Sequence, residues 1–317
     1  MGQADLRDNH IVCVGDPNER FMEDPLRMLR AIRFVAKLGF DIEANTSKAI
    51  TNNSDMLKTV APERVSEELI RLLSYPNAEH VVKALRCARD MAVLDEIIPE
   101  FASSIGFDQK NKHHYLTVDE HVFKAVQHAV KRSASPMARL AVLLHDIGKP
   151  KTFSVDEEGQ GHFYEHEDVG AHMVKSIMKR LMFSLDERMT VTTLVREHLR
   201  PSWNASEKVL RRFVAQLGPL VNDAIMVREA DLAAHSHESY KSAQEKMDLI
   251  RARIVGLGAI VGFGPANLAL KGDEIAREFK VEFRKIGELK KLAAQAVIDG
   301  LVLNEREAIL EFLRTNA

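Results

Sequence analysis

Apolar residues recur at helical spacing along most of the chain. In the segment that begins at Pro25, they fall three or four residues apart and stop at Gly39, which predicts one amphipathic helix. Similar stripes start at Pro62 and at Pro76. Further helices are predicted at Val118–Lys131, Pro136–Ile147, Asp168–Phe183, Leu185–Leu199, Pro219–His235, Tyr240–Val255, Gly272–Phe279, Ile286–Ile298 and Glu305–Arg314. The pattern predicts an all-α fold.

The beginning of the chain has a different pattern, short and rich in turn residues. Ile11–Val14 is a candidate strand, Asp16-Pro17-Asn18 is predicted to be a turn, and Asn45 is expected to cap a short helix. The polar stretch Phe101–Tyr115 is predicted to be a connecting loop. We therefore expect a β remnant at 1–22, a helical neck at 23–100, a helical domain at 101–240 and C-terminal helices at 241–317.

Composition narrows the class of protein. Of 317 residues, 45% are apolar and 28% are charged, which is typical of a globular chain and excludes a disordered one. The net charge is −2, so nucleic acid would have to bind a local basic patch rather than the whole surface. Two cysteines, no leader-like segment and no uninterrupted apolar run predict a cytoplasmic protein without a membrane partner.

A group of histidines and aspartates suggests a metal site. His145 and Asp146 follow an apolar stripe, where burial of polar groups is costly unless something binds them. Other candidates lie on different predicted helices or helix ends: His121, His166, His198 and Asp231. A helical bundle can direct such groups into one pocket. Imidazole and carboxylate ligands favour a divalent transition metal (Mn, Ni, Co, Fe or Zn), either as one ion or as two ions bridged by a carboxylate. Such an ion lowers the pKa of a bound water, which can then attack phosphorus.

This arrangement resembles the HD-domain metal-dependent phosphohydrolases. The match consists of His121, then the string His145-Asp146-Ile-Gly-Lys149, then Asp231. His166 and His198 resemble the enlarged ligand set of some members. The resemblance implies that the six residues bind metal, that Asp146 and Lys149 take part in catalysis, and that Lys149 lies near the substrate phosphate. It also implies phosphoester substrates such as 2′,3′-cyclic nucleotides or nucleoside monophosphates.

A second string resembles a different family. Glu23-Asp24-Pro25-Leu26-Arg27 and, later, Glu63-Arg64 are similar to the neck of the bacterial tRNA nucleotidyltransferases and poly(A) polymerases. This resemblance covers almost the whole chain, and the HD domain favours the CCA-adding type. It implies that residues 1–22 are the end of a catalytic head, that Asp24 and Arg27 bind an incoming nucleotide when the head is present, and that Glu63 and Arg64 support them.

The motifs that the catalytic head of that family uses are not found in this sequence. The family's head carries a Gly-Gly or Gly-Ser turn and an Asp-x-Asp pair, and neither occurs here. Because two-metal nucleotidyl transfer needs those carboxylates, we do not expect it from this chain alone. The leading interpretation is a phosphohydrolase on a headless scaffold. One alternative is a non-catalytic tRNA-binding protein, which is suggested by the basic cluster Arg284, Lys285, Lys290 and Lys291. The other is a nucleotidyltransferase whose catalytic head is supplied by a separate chain. The sequence does not predict an oligomeric state.

Overall fold

The computed structural model describes residues 2–110, 116–235, 237–257 and 267–316 of the chain. Its α-helices, numbered α1 to α18 in chain order, are Gly2–Arg7, Pro17–Glu23, Leu26–Leu38, Ala44–Asn53, Pro62–Ser74, Ala78–Asp90, Val93–Ile97, Val118–Lys131, Pro136–Leu144, Lys149–Thr152, His166–Arg180, Leu185–Arg196, Glu207–Leu217, Val221–Ala234, His237–Gly256, Gly272–Phe279, Phe283–Ile298 and Arg306–Asn316. Short 3₁₀ helices are Ser54–Thr59, Pro99–Ser104 and Gly218–Leu220. The prediction of an all-α fold is confirmed.

Strands within the described ranges are limited to two short pairs. β1 (His10–Ile11) runs parallel to β2 (Asp41–Ile42), with His10 opposite Asp41. β3 (Ser154–Val155) runs antiparallel to β4 (Gly161–His162). The first pair includes part of the predicted strand, whereas the second pair was not predicted. Two-residue strands are too short to show a recognisable alternation.

Several helix boundaries follow from capping chemistry. α3 ends at Gly39, whose φ of 75° favours glycine. The predicted turn at Asp16-Pro17 is wrong, because the Asp16 side chain accepts hydrogen bonds from the backbone of Asn18 and Glu19 and starts α2. Asn45 is not the cap of α4. The carboxylate of Glu43 does this by accepting from the backbone of Asn45 and Thr46.

Helices α9 and α12 both end earlier than predicted, and this matters for the candidate site. α9 ends at Leu144 rather than Ile147, so His145 and Asp146 lie just after the helix and not inside it. α12 ends at Arg196 rather than Leu199, so His198 also lies just after a helix. These positions place the polar side chains at helix ends, where the backbone can turn. α13 is an additional helix that was not predicted, and Ser206 caps it.

The chain divides into two compact units. The first comprises Met1–Leu199 and Asp223–Gln244, and the second comprises Arg200–Asn222 and Glu245–Ala317. In the first unit, α3 packs against α5 and α6, α8 packs against α6 and α9, and α12 packs against α9 and α11. The first unit thus contains the predicted neck and most of the predicted segment 101–240. The division of the chain into four segments stays a prediction.

The second unit has a small apolar core of its own. Residues from the segment before α16, from α16 itself, from α17 and from α18 contribute to it, and its largest members are Leu268, Leu270, Ile275, Leu289, Val297, Ile309, Leu310 and Leu313. None of the helices in the described ranges is long and apolar enough to cross a membrane. The end of the predicted loop, 111–115, lies outside the described residues.

Candidate metal centre

The structure brings all six predicted metal ligands together in the first unit. His121 comes from α8, His145 and Asp146 follow α9, and Asp231 comes from α14. His166 is the first residue of α11, and His198 lies two residues after α12. All six side chains are buried. Because burial of so many polar groups is costly, this cluster needs a partner that satisfies them together.

Asp146 lies between two groups of ligands. Its Oδ2 atom is 3.3 Å from Nε2 of both His121 and His145. Its Oδ1 atom is 3.4 Å from His166 Nε2 and 4.0 Å from His198 Nε2. His121, His145, Asp146 and Asp231 can therefore converge on one point, and Asp146, His166 and His198 can converge on another. The two oxygens of one carboxylate face the two points.

Backbone carbonyls orient three of the imidazoles. Nδ1 of His145, His166 and His198 lies 2.6 to 2.7 Å from the carbonyl oxygen three residues earlier, at Val142, Phe163 and Val195. Because a carbonyl only accepts, Nδ1 is the donor in each pair, and Nε2 is directed towards the cluster, where it carries a lone pair whenever the ring is neutral. The Nε2 atoms of His166 and His198 then face each other at 3.3 Å, where a shared cation would relieve the repulsion of their lone pairs.

The charges in the cluster are strongly coupled. Burial would raise the pKa of Asp146, but the neighbouring His145 and Lys149 lower it well below its usual range. Burial would lower the pKa of His145, but Asp146 and Asp231 outweigh this and raise it to about 10. Burial lowers the pKa of His121 to about 4, and burial together with nearby His145 lowers that of His198 to about 3. The cluster therefore favours carboxylates with a cation between them.

The donor set fits a divalent transition metal. His145 Nε2 and Asp146 Oδ2 are buried, and among the described residues neither makes a hydrogen bond of suitable geometry, although Asp146 Oδ2 forms an ion pair with Lys149. A metal ion would satisfy both atoms. Imidazole nitrogens with carboxylate oxygens are ligands that such ions prefer.

Lys149 adds a buried ammonium group to the cluster. Its Nζ atom forms an ion pair with Asp146 Oδ2 at 2.7 Å and donates a hydrogen bond to Gln109 Oε1 at 2.8 Å. Gln109 is held in turn because its amide donates to the carbonyl of Leu116. The Nζ atom also lies 5.3 Å from the centre of the Phe163 ring. Gln109 was not predicted, since no local pattern connects it with a lysine 40 residues later.

A cavity of about 240 Å³ opens onto the cluster. It is lined by Asp146, Lys149, Gly161, His162, Phe163, Tyr164, His166, His198, Leu199, Asp231 and His235. His235 was not predicted as a site residue. Its position four residues after Asp231 places it on the same side of a helix and could have indicated it. Its Nε2 atom is 3.5 Å from Asp231 Oδ1. A substrate in this cavity would contact Lys149 and four of the six predicted ligands directly, namely Asp146, His166, His198 and Asp231.

The predicted nucleotide-binding pair lies elsewhere in the first unit, at the neck. The carboxylate of Asp24 accepts a hydrogen bond from Arg64 at 3.1 Å. Arg27 donates to Glu23 at 2.6 Å and to the carbonyl of Arg20 at 2.9 Å. Asp24 and Arg27 are therefore paired with different partners, and their role in nucleotide binding stays a prediction.

Fold and site together define a helical HD-type domain, and comparison with known proteins agrees. The family model described as the HD domain matches residues 118–257. The model described as the probable RNA and SrmB-binding site of polymerase A matches residues 39–105. The first match includes all six candidate ligands, and the second covers part of the neck.

Similar proteins identify the family. A CC-adding tRNA nucleotidyltransferase of Thermus thermophilus is 35% identical, over 96% of this chain and 69% of that protein. An A-adding tRNA nucleotidyltransferase of Deinococcus radiodurans is 34% identical, over 74% of this chain and 54% of that protein. The chain belongs to the tRNA nucleotidyltransferase family. It spans only about half to two thirds of the length of these relatives.

A solved structure shares the fold. The Bacillus stearothermophilus CCA-adding enzyme, solved in complex with CTP, aligns with a TM-score of 0.60 and 21% sequence identity. The alignment covers 99% of this chain and 67% of that chain. This chain therefore shares the helical fold of the aligned part of that enzyme.

Proposed function

We propose that the chain is a metal-dependent phosphohydrolase that acts on phosphoesters such as 2′,3′-cyclic nucleotides or nucleoside monophosphates. The observation that supports this most is the position of Asp146, whose two oxygens face two separate groups of histidines. Lys149 next to it supplies a positive charge at the cavity that a phosphoester would enter.

Each part of the site has a separate role in this proposal. Divalent ions held by His121, His145, Asp146, His166, His198 and Asp231 would supply an activated water and neutralise charge on the phosphoryl oxygens. The carbonyl contacts of His145, His166 and His198 keep these rings oriented with Nε2 towards the ions. Lys149, fixed by Gln109, would stabilise negative charge that develops on the phosphoryl group.

The test combines metal analysis with an assay. The purified chain is analysed for bound metal and assayed with bis-p-nitrophenyl phosphate and 2′,3′-cyclic AMP in the presence of Mn, Co or Ni. We expect turnover that is lost in the double variant His145→Ala, Asp146→Ala. The variant His172→Ala is a matched control, because His172 is an exposed imidazole on α11 outside the cluster. Unchanged turnover in the double variant would refute the proposal.

A second candidate function is binding of tRNA by a non-catalytic body. Four basic side chains of α17 support it, namely Arg284, Lys285, Lys290 and Lys291. Within the described part of the chain, none of the four forms an ion pair with a carboxylate. Phe283, at the start of the same helix, is 91% exposed and offers a face for stacking on a base. The match of residues 39–105 to an RNA-binding region adds to this candidate.

Salt dependence of tRNA binding distinguishes this candidate. If the α17 cations contact phosphates, Arg284→Ala with Lys285→Ala should weaken binding and reduce the slope of log K against log salt by about 2. Lys175→Ala with Lys179→Ala removes the same charge from exposed positions on α11 and serves as the control. Absence of tRNA affinity at low salt would eliminate the candidate.

A further inference from the structure

An aromatic pair of an exposed tyrosine and a partly buried histidine lies at the mouth of the cavity. Tyr164 is 72% exposed, and its ring stacks on that of His162 with a centroid distance of 5.3 Å and an angle of 5° between the planes. Both residues line the cavity together with Lys149 and Asp146. One face of the tyrosine is covered by the histidine, so the exposed area includes the other face.

The pair is held in place by the β3–β4 hairpin. His162 contacts Asp156 through Nε2 at 2.8 Å, and the other oxygen of Asp156 accepts from the backbone of Glu158 and Gln160 in the turn. Tyr164 is further linked to His162 by its hydroxyl, which is 3.4 Å from Nδ1. A platform fixed in this way loses little freedom when a ligand binds.

The side chain between them packs on other aromatic rings. Phe163 packs against Phe153 at 5.5 Å and Phe107 at 6.4 Å, and it lies under Lys149. These contacts anchor the segment that carries His162 and Tyr164.

The size of the cavity indicates which part of a ligand would reach Tyr164. Sites that enclose most of a drug-sized ligand occupy roughly 300–1,000 Å³. The cavity here has about 240 Å³. It can enclose the phosphate and part of the sugar of a nucleotide, while the base is left at the mouth. An exposed aromatic face at the mouth is a surface on which every base can stack.

We infer that Tyr164, supported by His162, forms a base-binding subsite for the nucleotide substrates proposed above. This inference rests on the proposed phosphohydrolase function and names a residue that binds the substrate at that site. Because stacking uses the face of the base and not its edge, the subsite accepts different bases with similar affinity.

Kinetics with paired substrates test the inference. AMP and ribose 5-phosphate both present a phosphomonoester, but only AMP has a base. Tyr164→Ala should raise KM for AMP about 5- to 100-fold, the range expected from loss of one stacked base, and leave kcat unchanged. KM for ribose 5-phosphate should not change. Tyr164→Phe keeps the ring and should behave like the natural chain, whereas Tyr164→Leu keeps apolar area without the ring and should resemble Tyr164→Ala.

Binding of the product nucleoside gives a readout that does not depend on turnover. Calorimetric titration should show binding of adenosine but not of ribose, and Tyr164→Ala should abolish the adenosine signal. If adenosine binds through Tyr164 while no phosphoester is hydrolysed, the phosphohydrolase proposal fails and the subsite stands. If AMP and ribose 5-phosphate are hydrolysed with equal KM and Tyr164→Ala changes neither, hydrolysis stands and the subsite is refuted.

Discussion

A Cβ atom placed on Gly148 would lie 2.2 Å from the carbonyl oxygen of His166. The same atom would lie 2.7 Å from the backbone nitrogen of Gly170, one turn further along α11. The φ of Gly148 is −78°, a value open to any residue, so glycine is needed here for close approach and not for backbone conformation. This contact holds the start of α11 against the turn after Asp146, and thereby holds His166 at the cluster.

Gly148→Ala tests the importance of this contact. The added methyl group forces the backbone of α11 to move, because the atoms it meets are main-chain atoms. We expect a loss of about 1–3 kcal/mol in the free energy of unfolding, as for overpacked interiors. Metal binding that depends on His166 should also weaken. Urea denaturation and metal titration measure the two effects.

Gly287→Ala is the matched control. Gly287 lies in α17, and no atom is within 4 Å of the position that its Cβ would take. Replacement of such a helical glycine by alanine should stabilise the protein by up to about 1 kcal/mol. Equal effects of the two substitutions would contradict the role given to Gly148.

The six candidate ligands could be selected from the sequence because of where their residue types occur. A histidine and an aspartate directly after an apolar stripe, as at His145 and Asp146, are unusual enough to be informative. Helix α8, which presents His121, was predicted with its observed bounds because its apolar spacing is regular. The sequence also indicated Lys149, through the resemblance of its motif.

Other parts of the site could not be predicted, for physical reasons. Gln109 acts through a hydrogen bond to a residue far along the chain, and the position of Tyr164 depends on a hairpin with two-residue strands. The closeness of Gly148 to His166 depends on how two elements pack, which no local pattern encodes.

The geometry of Asp146 predicts the number of metal ions that the cluster binds. Because its two oxygens face different groups of histidines, we expect two ions per chain. His198→Ala should reduce this to about one ion, and Asp146→Ala should reduce binding at both positions. Elemental analysis after dialysis against Mn or Ni measures the ratio, with His172→Ala as the control. Saturation of the natural chain at one ion would contradict a bridging role for Asp146.

Removal of the ammonium group of Lys149 should affect catalysis more than metal content. Lys149→Met is expected to lower kcat about 10²- to 10³-fold, as for loss of one group that stabilises developing charge, while the ions stay bound. The comparison is Lys151→Met, since Lys151 lies in the same short helix but is exposed. Steady-state kinetics and elemental analysis of both variants check this. Similar kcat values for the two variants would exclude Lys149 from the reaction.

A carboxylate remote from the cluster should make stability depend on pH. Asp95 lies in α7, and its Oδ1 atom is buried without a hydrogen-bond partner among the residues that the structure describes. Burial, with a smaller contribution from adjacent Glu96, raises its pKa above the usual value. Since the folded-state pKa exceeds the unfolded one, the charged form is penalised in the folded state. The free energy of unfolding therefore falls as pH rises through the folded-state pKa.

Asp95→Asn removes that penalty without changing the size of the side chain. The variant should be more stable than the natural chain at about pH 7, and the difference should disappear at about pH 3, where the carboxyl group is protonated in both states. Urea denaturation followed by circular dichroism at the two pH values measures it. Asp55→Asn, at an exposed position, removes the same charge and should show little pH-dependent difference. A stabilisation by Asp95→Asn that is equal at both pH values would mean that the buried charge is not its cause.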